Sequence, residues 1–212
     1  MARTGMLAVL GLLVLAALAV SGIAPYDRAT WVMEVGPVLI GIPLLLGTSR
    51  RFPLTTLLYA LTALHALVLL LGGAYTYARV PLGFWRQELF DLKRNPYDRI
   101  GHFMQGFVPA LIAREVLLRG SYVSGRRMAA FLSGCVALAV SALYELVEWW
   151  AALALGQGAD AFLATQGDPW DTQSDTFMAL VGAVVGLLAL GRLQDRQIAT
   201  LRARARASAS GW

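Results

Sequence analysis

In the segment YDRIGHFMQGF, residues 97–107, Asp98 and His102 stand four residues apart, and Gln105 lies three further on. On a helix that spacing projects all three from one face, where a carboxylate can orient an imidazole as a general base. Two more acidic segments follow: Glu145 and Glu148 in YELVEWW, then Asp168, Asp171 and Asp175 in GDPWDTQSD. His102, Asp98 and Glu145 are the candidate catalytic groups. Carboxylates sharing a partly dry site cannot all ionise uncompensated: some stay protonated, an arginine pairs with them, or a metal ion binds. The candidate metal ligands are His102, Glu145, Glu148, Asp175 and His65. One or two imidazoles with several oxygens suit Zn²⁺, Mn²⁺ or Fe²⁺ better than Mg²⁺ or Ca²⁺, so a divalent metal ion is the one cofactor the residues point to. Arg99, Gln105, Tyr75, Tyr77 and Asp171 are candidate substrate contacts, and Glu34 is a weaker member of the group.

Local roles compete with these. In Asp168-Pro169-Trp170-Asp171 the first residue fits a helix N-cap, with proline at the first helical position. Asp98 can cap a helix in the same way, and Glu148 beside Trp149 suits a wet headgroup layer. His102, Glu145 and Asp175 are harder to assign locally, because each falls inside an apolar run. Ionisable groups inside a membrane default to a functional reading.

Those apolar runs must position the site. At 212 residues, 58% hydrophobic and 15% charged, the chain lacks the polar surface of a soluble domain. An all-α integral membrane bundle is expected, with six spans at residues 6–24, 32–48, 53–72, 99–118, 128–149 and 174–191. Each approaches the ~20 residues that a helix needs to cross hydrocarbon. Residues 1–191 form one transmembrane domain, and 192–212 a basic tail. The first span also resembles a cleavable signal peptide; its length favours a retained helix.

Arginine placement sets orientation. Arg3, the pair Arg50 and Arg51, the group Arg119, Arg126 and Arg127, and the tail all fall on one side, which predicts cytoplasmic N- and C-termini. The loop at residues 73–98 is the exception. Trp31, Trp85, Trp149, Trp150 and Trp170 then lie at the outer boundary, where amphipathic rings prefer to sit. Within that loop, residues 81–94 predict an interfacial helix with Leu82, Trp85, Leu89 and Leu92 on its apolar face. A lid packed on other loops is the alternative.

Counting along the spans places His102, Glu145 and Asp175 in one thin layer under the outer surface, with His65 beyond the middle of its span. The inner halves are expected to carry almost no buried charge, apart from Arg114 and Glu115, which snorkel or pair. That argues against an ion-coupled transporter. Gly182 and Gly186 have GxxxG spacing and predict close helix packing. Cys135 is expected to be a packing residue, and no nucleophile motif or phosphate loop occurs. RARARA in the tail points to anionic lipid and not to nucleic acid. Nothing in the sequence specifies an oligomeric state.

The stretches YDRIGHFMQGFVPALIAREVLLR, YELVEWWAAL and ADAFLATQGDPWDTQSDTFMALVGA resemble the YjdF family of bacterial inner-membrane proteins. The resemblance runs from about the third span to the sixth. It implies a multi-span inner-membrane protein and no particular reaction. Asp98, His102, Phe103, Glu145, Glu148 and Asp175 also match the outline of VanZ-like proteins, although Glu148 stands where those often carry glutamine. That looser similarity implies a link to the cell envelope. The combined expectation is a polar Asp/His/Glu site near the outer leaflet, acting on or binding a lipid or lipid-linked molecule. The alternatives are a binding or transport protein for a cationic amphiphile, and a purely structural role for the carboxylates.

Overall fold

The computed structural model describes residues 3–155 and 166–209, so most of the loop before the last span, and Trp212, lie outside the described residues. The long elements are α1 (Arg3–Ile23), α2 (Arg28–Thr48), α3 (Thr56–Tyr75), α4 (Pro81–Leu89), α5 (Tyr97–Arg119), α6 (Arg126–Leu155) and α7 (Asp171–Ala209). A single 3-10 turn, Tyr77–Arg79, precedes α4. The chain is an all-α membrane helical bundle.

Among the described residues, α1, α2, α3, α6 and α7 are long and apolar enough to cross a membrane on composition alone. The fourth expected span, α5, is not among these five, although its 23 residues reach roughly 34 Å at 1.5 Å per residue. It carries Asp98, Arg99, His102, Arg114, Glu115 and Arg119. The bundle accommodates these charges by packing α3, α6 and α7 around α5. A span surrounded by protein need not present an apolar surface to lipid.

Missing side chains bring α5 and α7 together. A Cβ on Gly106 would strike the Ala179 backbone, and one on Gly182 would strike the Phe103 carbonyl. Gly186 faces Phe107. The close packing predicted from Gly182 and Gly186 is therefore directed at α5. Tyr77 wedges between α3 and α5, filling the space that side chains at Gly72 and Gly101 would need.

Several boundaries and environments differ from the sequence reading. The backbone helix of α7 does not stop where the composition turns basic but runs on to Ala209. Gln194 and Ile198 in that extension are buried. The helix α4 ends at Leu89 and not near residue 94, because Asp91 adopts a left-handed backbone at φ 49°. Phe84 and Phe90 are exposed together with Leu82, Trp85 and Leu89, so its apolar surface is wider than one stripe. Cys135 is exposed, not packed. Arg114 and Glu115, by contrast, pair as expected: Arg114 with Asp195 of α7, and Glu115 with Arg119 and the Thr55 amide and hydroxyl.

Candidate functional site

The first turn of α5 follows a tight junction. The Asn95 side chain donates to the Val80 carbonyl and accepts from the Tyr97 amide, each at 3.0 Å. Asn95 also exchanges two backbone hydrogen bonds with the Gln166 side chain. This fixes where α5 begins, and therefore where Asp98 and His102 point. Asp98 is buried in that first turn and does not act as the cap; Pro96 occupies the cap position.

His102 is the centre of the cluster. Its Nε2 lies 3.5 Å from Asp98 Oδ1 and 3.9 Å from Asp175 Oδ2. Its Nδ1 lies 3.0 Å from Gln105 Oε1 and 3.7 Å from Glu145 Oε1. Carboxylates from α5, α6 and α7 thus converge on one imidazole. The Asp175 side chain is only 3% exposed, and among the described residues its Oδ1 has no hydrogen-bond partner, nor has Glu145 Oε1. One ligand atom each of Asp98, His102 and Asp175 can be chosen so that all three lie within 4.8 Å of one another. Glu148 is close enough for its charge to act on His102.

Two partners extend the cluster beyond the residues expected to matter most. Glu34 on α2 is buried and accepts a 3.0 Å hydrogen bond from the Tyr144 hydroxyl. Tyr144 also meets the His102 ring edge-on, at 6.4 Å between centroids. Burial, and then the Glu34 carboxylate beside it, push the Tyr77 phenol well above its ordinary value, which keeps it a hydrogen-bond donor. Tyr144 was not singled out from the sequence, although it adjoins Glu145 and lies one turn before Glu148 in YELVEWW.

At the start of α7 the acidic residues divide. Asp171 hydrogen-bonds Arg94, whose other terminal nitrogen lies 3.3 Å from Asp168. Partial burial opposes the Arg94 charge, but the hydrogen bond and charge of Asp171, backed by Asp168, hold the guanidinium above its usual value. Asp168 accepts from the Trp170 amide at 3.0 Å, while the helix itself begins at Asp171, so the turn bond precedes the helix. Arg99 is half exposed and lies 3.9 Å from Asp168. Arg94 was seen in the sequence only as a loop charge. Its placement depends on the chain folding back over α7.

Two sequence candidates lie elsewhere. His65 lines an apolar cleft between α1, α2 and α3, away from the carboxylates. It faces the wrong side of α3 to join them. Tyr75, at the end of α3, is largely exposed, and Tyr77 takes the buried place near Glu34.

The family described as a predicted membrane protein (DUF2238) matches residues 6–196. The inner membrane protein YjdF of Escherichia coli (strain K12) is 63% identical over 178 residues, covering 84% of this chain and 85% of that relative. No solved structure matches. With the helical bundle already described, these matches make the chain a multi-pass inner-membrane protein belonging to the DUF2238 family of predicted membrane proteins.

Proposed function

We propose that the cluster around His102 is a reaction site for an amphiphilic cell-envelope molecule, a lipid or lipid-linked precursor, and that it works with a divalent cation. The observation carrying this reading is the buried, unpartnered Asp175 Oδ1 beside an imidazole that three carboxylates already face. A buried carboxylate oxygen without a donor is costly, and a cation removes that cost. Metal–ligand bonds of about 2.0–2.2 Å put ligand atoms of one ion roughly 3–4 Å apart. The 3.5 and 3.9 Å separations between His102, Asp98 and Asp175 fall in that range.

In this reading Asp98, His102 and Asp175 hold the ion, and Glu145 is the proton acceptor or donor beside it. Glu148 and Glu34 add negative charge around the site, while Arg99 and the Arg94–Asp171 pair form its polar rim. With the termini cytoplasmic, as the arginine distribution favours, the site opens toward the outer leaflet. Metal analysis of detergent-purified protein tests the reading. One equivalent of a transition metal per chain, lost in His102→Ala and Asp175→Asn, is the expected result. Metal-free wild-type protein, or full cellular function in His102→Ala and Glu145→Ala, would discard it.

The charge imbalance supports a second reading, the binding of a cationic amphiphile without chemistry. Four carboxylates, Asp98, Glu145, Glu148 and Asp175, surround a single imidazole. That reading predicts ligand-dependent thermal stabilisation, lost on Asp175→Asn, and no product.

A further inference from the structure

Away from the carboxylates, α1 and α2 meet where the Trp31 indole donates to Ser21 Oγ at 3.1 Å. Beyond that junction each packs on α3 and much less on the other. The result is a cleft of about 420 Å³ with α3 as its floor. Its size falls within the ~300–1,000 Å³ of small-molecule sites. Leu10 and Val14 form one wall, Val38 and Ile42 the other, and Ala66 and Leu69 lie on the floor.

Two atoms in this apolar lining do not fit it. His65 Nε2 and Thr62 Oγ1 are buried and have no hydrogen-bond partner among the described residues. Both line the cleft, and at three residues apart they share one face of α3. Each group left unsatisfied is costly, and hydrocarbon supplies no water to relieve it. A ligand bearing a hydrogen-bonding oxygen would satisfy both.

The chemistry of that ligand is narrow. Among the described residues no Asp, Glu, Lys or Arg lines the cleft, so a charged headgroup would be buried without compensation. His65 is near the middle of α3, which spans Thr56–Tyr75. A phospholipid ester stays at the interface, roughly 15 Å from the centre of a ~30 Å hydrocarbon layer. The oxygen must therefore belong to a neutral molecule that dissolves wholly in the membrane. A ring carbonyl on an isoprenoid chain meets every requirement: it is uncharged, it accepts two hydrogen bonds, and its tail suits apolar walls.

We propose that the α1–α2–α3 cleft binds a neutral prenylquinone-type lipid, with a ring carbonyl accepting from His65 Nε2–H and the Thr62 hydroxyl. The test is titration of the full-length protein in detergent with decylubiquinone, read by tryptophan quenching and by thermal melting. Saturable binding to wild type is expected, with His65→Phe weakening it about tenfold, the loss of one hydrogen bond. Gly41 borders the cleft and has nothing within 4 Å of a built Cβ, so Gly41→Leu can begin a side chain there without a clash and adds bulk at the cleft. That variant should lose binding while its unliganded melting temperature is unchanged or higher. Asp175→Asn, in the carboxylate cluster, should bind the quinone like wild type, which separates this site from the other. No saturable binding by wild type, or wild-type affinity in both His65→Phe and Gly41→Leu, overturns the proposal. Equal stabilisation by 1-dodecanol overturns the quinone assignment.

Discussion

At the Arg119 end of α5, Glu115 is fully buried and every oxygen has a donor. Oε1 accepts from the Thr55 amide at 2.9 Å and from Arg119 at 2.7 Å, and Oε2 accepts from the Thr55 hydroxyl at 2.7 Å. Arg114 donates to Gln194 at 2.8 Å and Asp195 at 2.7 Å, and Gln194 donates on to the Leu111 carbonyl. Arg114 and Arg119, with Arg126 at the exposed edge, balance Glu115 and Asp195. At the Asp98 end the contacts of His102 with carboxylates are longer, 3.5 to 3.9 Å, and two carboxylate oxygens have no donor among the described residues. Negative charge there exceeds positive. The same helix thus carries a closed network at one end and an open one at the other. A closed network has nothing left to offer a ligand and serves to join helices. An open one holds unspent hydrogen-bonding and charge capacity, the condition for binding or chemistry.

The contrast can be broken most strongly at the closed end. Glu115→Ala leaves the Thr55 amide and hydroxyl buried without their acceptor and takes the carboxylate partner from Arg119, which keeps the Pro53 carbonyl, and a loss of about 3–5 kcal/mol is expected. Thermal melting in detergent and membrane abundance should both fall. Packing between the two ends is the next most sensitive point. Gly106→Leu drives a side chain into the Ala179 backbone and should separate α5 from α7, lowering both abundance and melting temperature. At the open end, Asp175→Asn removes one of several like charges, so with both proteins stripped of metal by a chelator the melting temperature should stay near that of wild type or rise. A drop as large as that of Glu115→Ala would mean that the two ends are alike after all.

The smallest effect belongs to an ordinary cap, which calibrates the others. Asp27 accepts from the Thr30 amide at 2.7 Å at the start of α2. Asp27→Ala should cost about 1 kcal/mol. That same backbone hydrogen bond holds the Asp27 carboxyl below its ordinary value of 3.8. A lowered folded-state value means that the stabilisation is complete above the unfolded-state pKa and fades as pH falls through the folded-state one. Acid titration of melting in wild type and Asp27→Ala should therefore converge only at strongly acidic pH.

Chain order alone was enough to read the class, five of the six expected spans and the face shared by Asp98, His102 and Gln105. Hydropathy and the i, i+4 spacing are local properties, and a helix turns them directly into geometry. Depth along each span is nearly as local, since 1.5 Å per residue converts counting into position; His102, Glu145 and Asp175 were found at one level in that way. Azimuth is not local. Which way His65 faces, whether Arg94 reaches Asp171, and whether Tyr144 reaches Glu34 depend on how each helix is rotated against its neighbours. Backbone contact at Gly106 and Gly182 sets that rotation for α5 and α7. Sequence therefore determined what each helix carries and how deep. Only the packed bundle decided which groups meet, because rotation is chosen by side-chain fit across helices distant in the chain.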